Sequence, residues 1–356
     1  MRSRNRYGGD RGRRTGSDML KYLIVGLAVL IAVLAAVLWF NRDKLEKPAP
    51  EAPEQEQSQT QQPEGEQPPT EPEPTPEPEP EPEVEPEPAH MAAVSVEMAQ
   101  IMDGSWRAYL ETEGANALVV NMKPDEGLLN WVSARPEAAQ VKANSPLEGI
   151  NDRLRAVNSG EVYTVARMSC FRDEALANIY ECCIHSNSGY RWKDFGGVHW
   201  VSPASEQVQD YLVTLAVELA EMGFDEILLD NCGYPKAGSG EMGWIKRGEV
   251  YDLNALDVPI GAFLEKVRAA VEPYGTVLSV RTDAWTLEQG DASLTGLTGQ
   301  VLEEYAARVW MSEVDTHAPL AEILSDAGVS DVGRRLVIQS AGLQSDAVWE
   351  QAVLNF

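Results

Sequence analysis

Residues 91–356 predict an α/β fold, a (β/α)8 barrel of the TIM type, preceded by one transmembrane helix and a disordered Pro/Glu-rich stalk. Three observations predict it. Short apolar runs rich in Val, Ile and Leu alternate with amphipathic stretches, the pattern of a parallel sheet buried on both sides by crossover helices. Most of those runs lead into a carboxylate, and barrel enzymes build their sites where strands end. Upstream, an uncharged 19-residue run is followed by a tract holding 14 of the 22 prolines.

Residues 1–21 form a basic tail containing Arg2, Arg4, Arg6, Arg11, Arg13, Arg14 and Lys21. From Tyr22 to Phe40 the chain reads YLIVGLAVLIAVLAAVLWF, which at about 1.5 Å per residue just crosses a hydrocarbon core of roughly 30 Å. The run continues into Trp39, Phe40, Asn41 and Arg42 without a small-residue cleavage site, so it reads as a signal anchor, not a cleaved peptide. The positive-inside rule keeps the N-terminus cytoplasmic. The expected location is therefore the cell membrane, single-pass, with the C-terminal domain outside. Residues 41–90 read as a linker. Its repeated Glu-Pro pairs remove amide donors and repel one another, giving a stalk that reaches on the order of 120 Å in polyproline II geometry.

In the outer domain the clear strands are ALVVNMK (117–123), VYTVARMSC (162–170), EILLDNC (226–232), TVLSVRTDA (276–284), RVWMSE (308–313) and RLVIQSA (335–341). A weaker first strand is expected at 94–99 and a short last one at 352–356. Six clear strands and two weak ones suit an eightfold barrel better than a doubly wound sheet. One helix is legible in detail. After Ser202 and Pro203, the residues Val208, Tyr211, Leu212, Leu215, Ala216, Leu219 and Met222 recur at helical spacing, and Gly223 stops them.

The formal charge of −27, from 56 acidic and 29 basic side chains, argues against a nucleic-acid partner. Dinucleotide, phosphate-loop, zinc-protease and serine-elbow motifs are absent from the sequence, and none of the four histidines has metal-site spacing. No cofactor and no metal are expected. What the strand ends do offer is carboxylates. The second strand leads to Asp125, the third to Asp173, the fourth to Asp230, the fifth to Asp283 and the sixth to Glu313 and Asp315. Two carboxyls across a sugar bond, one an acid and one ionised as nucleophile or base, are the minimum equipment for glycoside hydrolysis. Asp230 is read as nucleophile or base and Asp283 as acid, with Glu313 the alternative acid. Arg281, two residues before Asp283, shares its strand face and would keep it ionised. Trp192, Trp200, Trp244, Trp285 and Trp310 fall in or near the expected mouth loops, where flat rings suit pyranose faces. Trp200, Trp285, Tyr234 and Arg281 are the candidate sugar contacts among these neighbours.

The segments NALVVNMKPDEG, VARMSCFRDEALA, WVSP, GFDEILLDNCGYP, SVRTDAW and TGQVLEEYAARVWMS, in that order, resemble a glycosidase-like family of barrel domains of unknown function. That family is related to the alpha-amylase-like barrels, and the resemblance covers nearly all of residues 93–350. It implies a TIM barrel acting on glycosidic bonds. It carries Asp125, Arg167 and Asp173 over as candidate substrate contacts that match the family's second-strand Asp, third-strand Arg and the Asp after it, the last two with a role in orienting substrate; a structural charge network around the barrel top is the equal alternative for all three. LLDNC also looks like the nucleophile strand of alpha-galactosidases, an analogy that supports Asp230. After the fourth strand the family's Arg is missing here, and its Tyr-Pro-Ser-His segment is replaced by Glu313–His317. A barrel that binds wall glycan without cleaving it is therefore the competing reading.

The expected partners are a poly- or oligosaccharide and the membrane, with the protein itself monomeric. Cys170 and Cys232 end neighbouring strands, so an extracellular domain could join them in a disulfide. Adjacent Cys182 and Cys183 read as free thiols.

Overall fold

The computed structural model describes residues 90–178, 183–236, 245, 252–312, 319–345 and 347–356. The tail, the expected span at 22–40 and the stalk to residue 89 lie outside the described residues, as do Cys182, Trp244, Glu313 and Asp315. All described residues fall in one compact unit, Glu83–Phe356. Among them no helix is long and apolar enough to cross a membrane.

The chain forms the eight-stranded closed barrel that the sequence predicts. In order the strands are β1 (Ala92–Val96), β2 (Ala117–Lys123), β3 (Tyr163–Ser169), β4 (Glu226–Asp230), β5 (Val277–Thr282), β6 (Arg308–Ser312), β7 (Leu336–Gln339) and β8 (Glu350–Val353). Each pairs in parallel with its sequence neighbours, and β1 closes the ring on β8. The six clear runs become β2 to β7 with ends trimmed by a residue or two. The two weak strands also form, displaced by two residues toward the N-terminus. At the end of β1 the displacement has a local cause: Glu97 and Gln100 make a reciprocal capping box that starts a helix at Met98.

The helices around the barrel are α1 (Met98–Asp103), α2 (Trp106–Glu113), α3 (Pro136–Gln140), α4 (Ile150–Asn158), α5 (Glu206–Glu221), α6 (Asp257–Val271), α7 (Ala284–Gln289), α8 (Gly299–Tyr305), α9 (Leu320–Asp326) and α10 (Val332–Arg335). The helix legible in the sequence is α5. Its cap is Ser205, whose Oγ accepts from the Val208 amide, so it starts three residues beyond Pro203. It buries Val208, Tyr211, Leu212, Leu215, Ala216 and Leu219 against the barrel, as the spacing predicts.

The period of two decides what fills the barrel. At mid-height Ala93, Val119, Val165, Leu228, Trp310, Val337 and Ala352 pack into one apolar cluster. Trp310 thus belongs to the barrel interior and not to the mouth loops. Its indole Nε1 donates to Glu226 Oε1 at 2.9 Å. Glu226, wholly buried at the start of β4, also accepts from the Tyr163 hydroxyl at 2.9 Å and from Arg308. A carboxylate buried this deeply needs such partners, because water is excluded. Above the apolar layer, the same inner face carries Arg167 and Ser169 on β3, Asp230 on β4 and Arg281 on β5.

Candidate active site

Asp230 is the last residue of β4 and is only 8% exposed. Its Oδ2 accepts from Arg167 Nε at 3.1 Å, Arg167 Nη2 at 2.7 Å and Arg281 Nη1 at 2.8 Å. Burial by itself raises the pKa of such a carboxyl. Here the two guanidiniums outweigh it and hold Asp230 down at about 2, so it is ionised at neutral pH. The other oxygen, Oδ1, accepts the Asn231 amide at 2.9 Å. Asn231 sits in the left-handed region at φ 49°, which Asn tolerates better than most residues and which turns the chain sharply at the barrel rim. That turn aims Asn231 Nδ2 at Asp125 Oδ1 (3.2 Å) and Ser169 Oγ (3.0 Å).

Arg281 therefore serves a different carboxylate from the one its strand spacing suggested. It reaches across to Asp230, while Asp283 takes its cation from Lys236, with Nζ 2.7 Å from Oδ2. Asp283 also caps α7: Oδ1 accepts the Thr286 amide at 3.1 Å and Oδ2 the Thr286 hydroxyl at 2.9 Å.

Arg167 does not stop at Asp230. Its Nη2 also donates to Asp125 Oδ1 at 2.7 Å. Arg172 continues the series by pairing with Asp125 and, through Nε at 2.6 Å, with Asp194 Oδ2. An alternating row of acids and arginines thus crosses the rim from β5 to the loop after β3. Asp173 stands apart from this row. It is 1% exposed, takes Lys123 Nζ at 2.7 Å and the Leu176 amide at 2.7 Å, and presses against Gly127.

A pocket of about 290 Å³ opens at this end of the barrel. Asp230, Arg281, Asp283, Lys236, Trp200 and Tyr234 are among the residues that line it. Burial pushes the Tyr234 phenol up to about 12, leaving it a neutral hydroxyl at physiological pH. Gly233 permits the close packing of this wall, since a Cβ there would sit 2.8 Å from the Thr295 carbonyl oxygen. Asp125, Arg167, Asp173 and half-buried Trp285 are not lining residues, and Glu313 lies outside the described residues. The ring of Phe356 covers Arg167, with the guanidinium carbon 5.2 Å from its centroid.

Arg172, Asp194, Asn231 and Lys236 were not singled out in the sequence. Arg172 and Lys236 had a detectable signal, since each lies in or directly beside a segment that carries the family resemblance. Asp194 had none, because its role depends on a loop folding back over the rim. Cys170 and Cys232 are buried free thiols, so the Cys170–Cys232 disulfide is absent; Cys183 is buried as well. Burial raises the pKa of both Cys170 and Cys232, which keeps them protonated and inert. Among the described residues no cluster of three or more His, Cys, Asp or Glu is arranged to hold a metal ion.

The family model described as "Putative glycosyl hydrolase domain" matches residues 89–311, more than half of the chain and the whole of β1 to β5. The chain belongs to this family. The segments named above all fall within the matched residues apart from Ser312, the last residue of the sixth segment. Solved structures with a similar course include a hypothetical protein from Ruminiclostridium thermocellum, 23% identical, covering 53% of this chain and 96% of that one at a TM-score of 0.45. The glycoside hydrolase domain of PgaB (BpsB) from Bordetella bronchiseptica is 13% identical and covers 75% of this chain and 94% of its own at 0.49. A chitinase from Chromobacterium violaceum is 13% identical, with 71% and 68% covered at 0.41. At these scores the likenesses decide nothing about substrate. No curated protein matches the chain.

Proposed function

We propose that this glycosyl-hydrolase barrel cleaves a polysaccharide outside the cytoplasm, held at the cell surface by its N-terminal anchor and stalk. The observation that carries the reading is the pair of carboxylates, Asp230 and Asp283, on the neighbouring strand ends β4 and β5 in one pocket. Asp230 is ionised and fixed by two arginines, as a nucleophile or base must be. Its Oδ1, bonded only to a backbone amide among the described contacts, is the oxygen presented for attack. Asp283 supplies the proton to the leaving oxygen. For this Oδ2 must exchange Lys236 for substrate, and Lys236, half exposed at the pocket edge, is free to swing away. Glu313 follows β6 and is the alternative acid. Tyr234 and Trp200 offer a neutral hydroxyl and a ring face to the sugar.

One observation favours a second reading. Asp230 already accepts three guanidinium hydrogen bonds on one oxygen, and Asp283 a cap and an ammonium, so both carboxylates are satisfied without substrate. That arrangement suits a barrel that binds glycan without cleaving it. Hydrolysis of aryl glycosides and purified wall polysaccharides by the full chain, beside Asp230→Asn and Asp283→Asn, separates the two. Turnover lost in both variants supports the hydrolase; retention on a glycan column without any turnover supports the binding barrel. The outward orientation is tested separately by protease added to intact cells, which digests a tag at the C-terminus only if the barrel lies outside.

A further inference from the structure

Between β3 and α5 the chain makes a folded arm over residues 183–201. Two tight turns build it. Ser186 to Gly189 is closed by the Gly189 amide on the Ser186 carbonyl at 2.9 Å and flanked by the His185–Arg191 bridge. Asp194 to Gly197 is closed in the same way at 2.9 Å and flanked by the Lys193–His199 bridge. Gly189 at φ 81° and Gly197 at φ 82° supply the left-handed positions these turns require.

The arm is fixed to the barrel at several points. Arg191 Nη1 donates to the Ala177 carbonyl at 2.8 Å and to Asn178 Oδ1 at 2.6 Å, and His199 Nδ1 pairs with Glu174 at 2.8 Å. Asp194 Oδ2 accepts Arg172 Nε and also the Trp200 indole at 3.0 Å. One carboxylate therefore joins the arm to the arginine row around Asp230 and sets the orientation of the tryptophan that lines the pocket.

On this fixed arm stand two large exposed rings, Tyr190 at 76% and Phe195 at 83%. Phe195 occupies the second position of the turn that Asp194 begins, a position whose usual residues are small, polar or proline. It is the residue next to the one that holds Trp200. Single exposed apolar residues are ordinary; these two stand one at each turn of an arm that runs to a pocket-lining tryptophan. Flat rings fit the apolar faces of pyranose units, and an arm ordered in advance loses little entropy on binding.

Resting on the glycan-directed reading of the pocket, we propose that residues 183–201 are a binding arm for a polysaccharide chain. Sugar units beyond the pocket stack on Phe195 and Tyr190 as the chain passes Trp200. The substrate class is then a polymer longer than the pocket itself can hold.

The test uses the full 356-residue chain and its retention on insoluble chitin, cellulose, xylan and purified peptidoglycan. Wild type is expected to be retained on at least one polymer. Tyr190→Ala/Phe195→Ala is expected to bind that polymer about tenfold more weakly with an unchanged melting temperature, and Tyr190→Trp/Phe195→Trp to restore binding. Retention by the alanine variant equal to wild type, or no retention of wild type on any of the four, overturns the proposal. Retention that depends on the arm in a chain that hydrolyses nothing supports the arm while defeating the hydrolase reading.

Discussion

Arg167 gives both its Nε and its Nη2 to a single oxygen of Asp230, at 3.1 Å and 2.7 Å; the same Nη2 reaches Asp125 Oδ1, and Nη1 donates to Asn121 Oδ1 and the Lys123 carbonyl. A guanidinium committed this way cannot be replaced by an ammonium without losing the planar geometry. Arg167→Lys is expected to lower turnover at least tenfold on any substrate the wild type cleaves. Steady-state kinetics beside wild type check it; unchanged kcat would remove Arg167 from the machinery.

Asp230 is held at about 2 against an ordinary value of 3.8, burial acting upward and the arginines prevailing. A carboxyl whose folded pKa is depressed contributes its stability in full above about pH 4 and loses it as the pH falls toward 2. Between pH 5 and pH 2.5 that loss is on the order of 1–2 kcal/mol. Urea titrations at the two pH values are expected to show wild type losing about this much more than Asp230→Asn. Equal losses would mean that the paired arginines do not bind Asp230 in solution.

Asp283 has two roles that substitutions can separate. Asn caps a helix as well as Asp, whereas Ala costs about 1 kcal/mol at such a position. Asp283→Asn is therefore expected to melt within about 2 °C of wild type while turnover falls about a hundredfold or more, the contribution of a general acid. Full activity in the Asn variant would leave Asp283 as a cap alone and move the acid to Glu313.

Gly127 adopts φ 79°, and a Cβ there would lie 1.9 Å from Asp173 Oδ1. Gly127→Ala must strain the backbone and push Asp173 off Lys123 at once. A loss of about 3 kcal/mol or more is expected in denaturant titrations, and a variant as stable as wild type would show that the contact is not made.

Trp310 and Trp200 should behave oppositely. Trp310→Leu removes ring volume from the barrel interior and one donor from buried Glu226, a combined cost of about 3–5 kcal/mol. Trp200→Ala, at the pocket wall, is expected to weaken glycan retention more than it lowers the melting temperature. Calorimetry and affinity electrophoresis on the same two variants check the contrast.

The barrel was legible because its causes are local. Runs such as ALVVNMK and EILLD are apolar at nearly every position, and only a strand covered on both faces hides such a run from water. The inner-face alternation that places Arg167, Asp230 and Arg281 at one rim is equally a property of the backbone period. Tertiary structure alone decided the partners. Arg281 lies two residues from Asp283 in the chain but bonds to Asp230, because the guanidinium reaches sideways across the sheet as readily as along its own strand. Cys170 and Cys232 end adjacent strands and still carry free thiols, since neighbouring strand ends do not by themselves give the side-chain vectors a disulfide needs. Trp310 looks like its fellow tryptophans in the sequence, and only closure of the ring turns it inward. The arm that joins Asp194 to Trp200 and Arg172 depends on a loop returning to the rim. Periodicity and composition are written residue by residue, so the sequence determined the strands and which side chains of each share a face; which face turns inward and which charges meet depend on segments far apart in the chain, and only folding sets those.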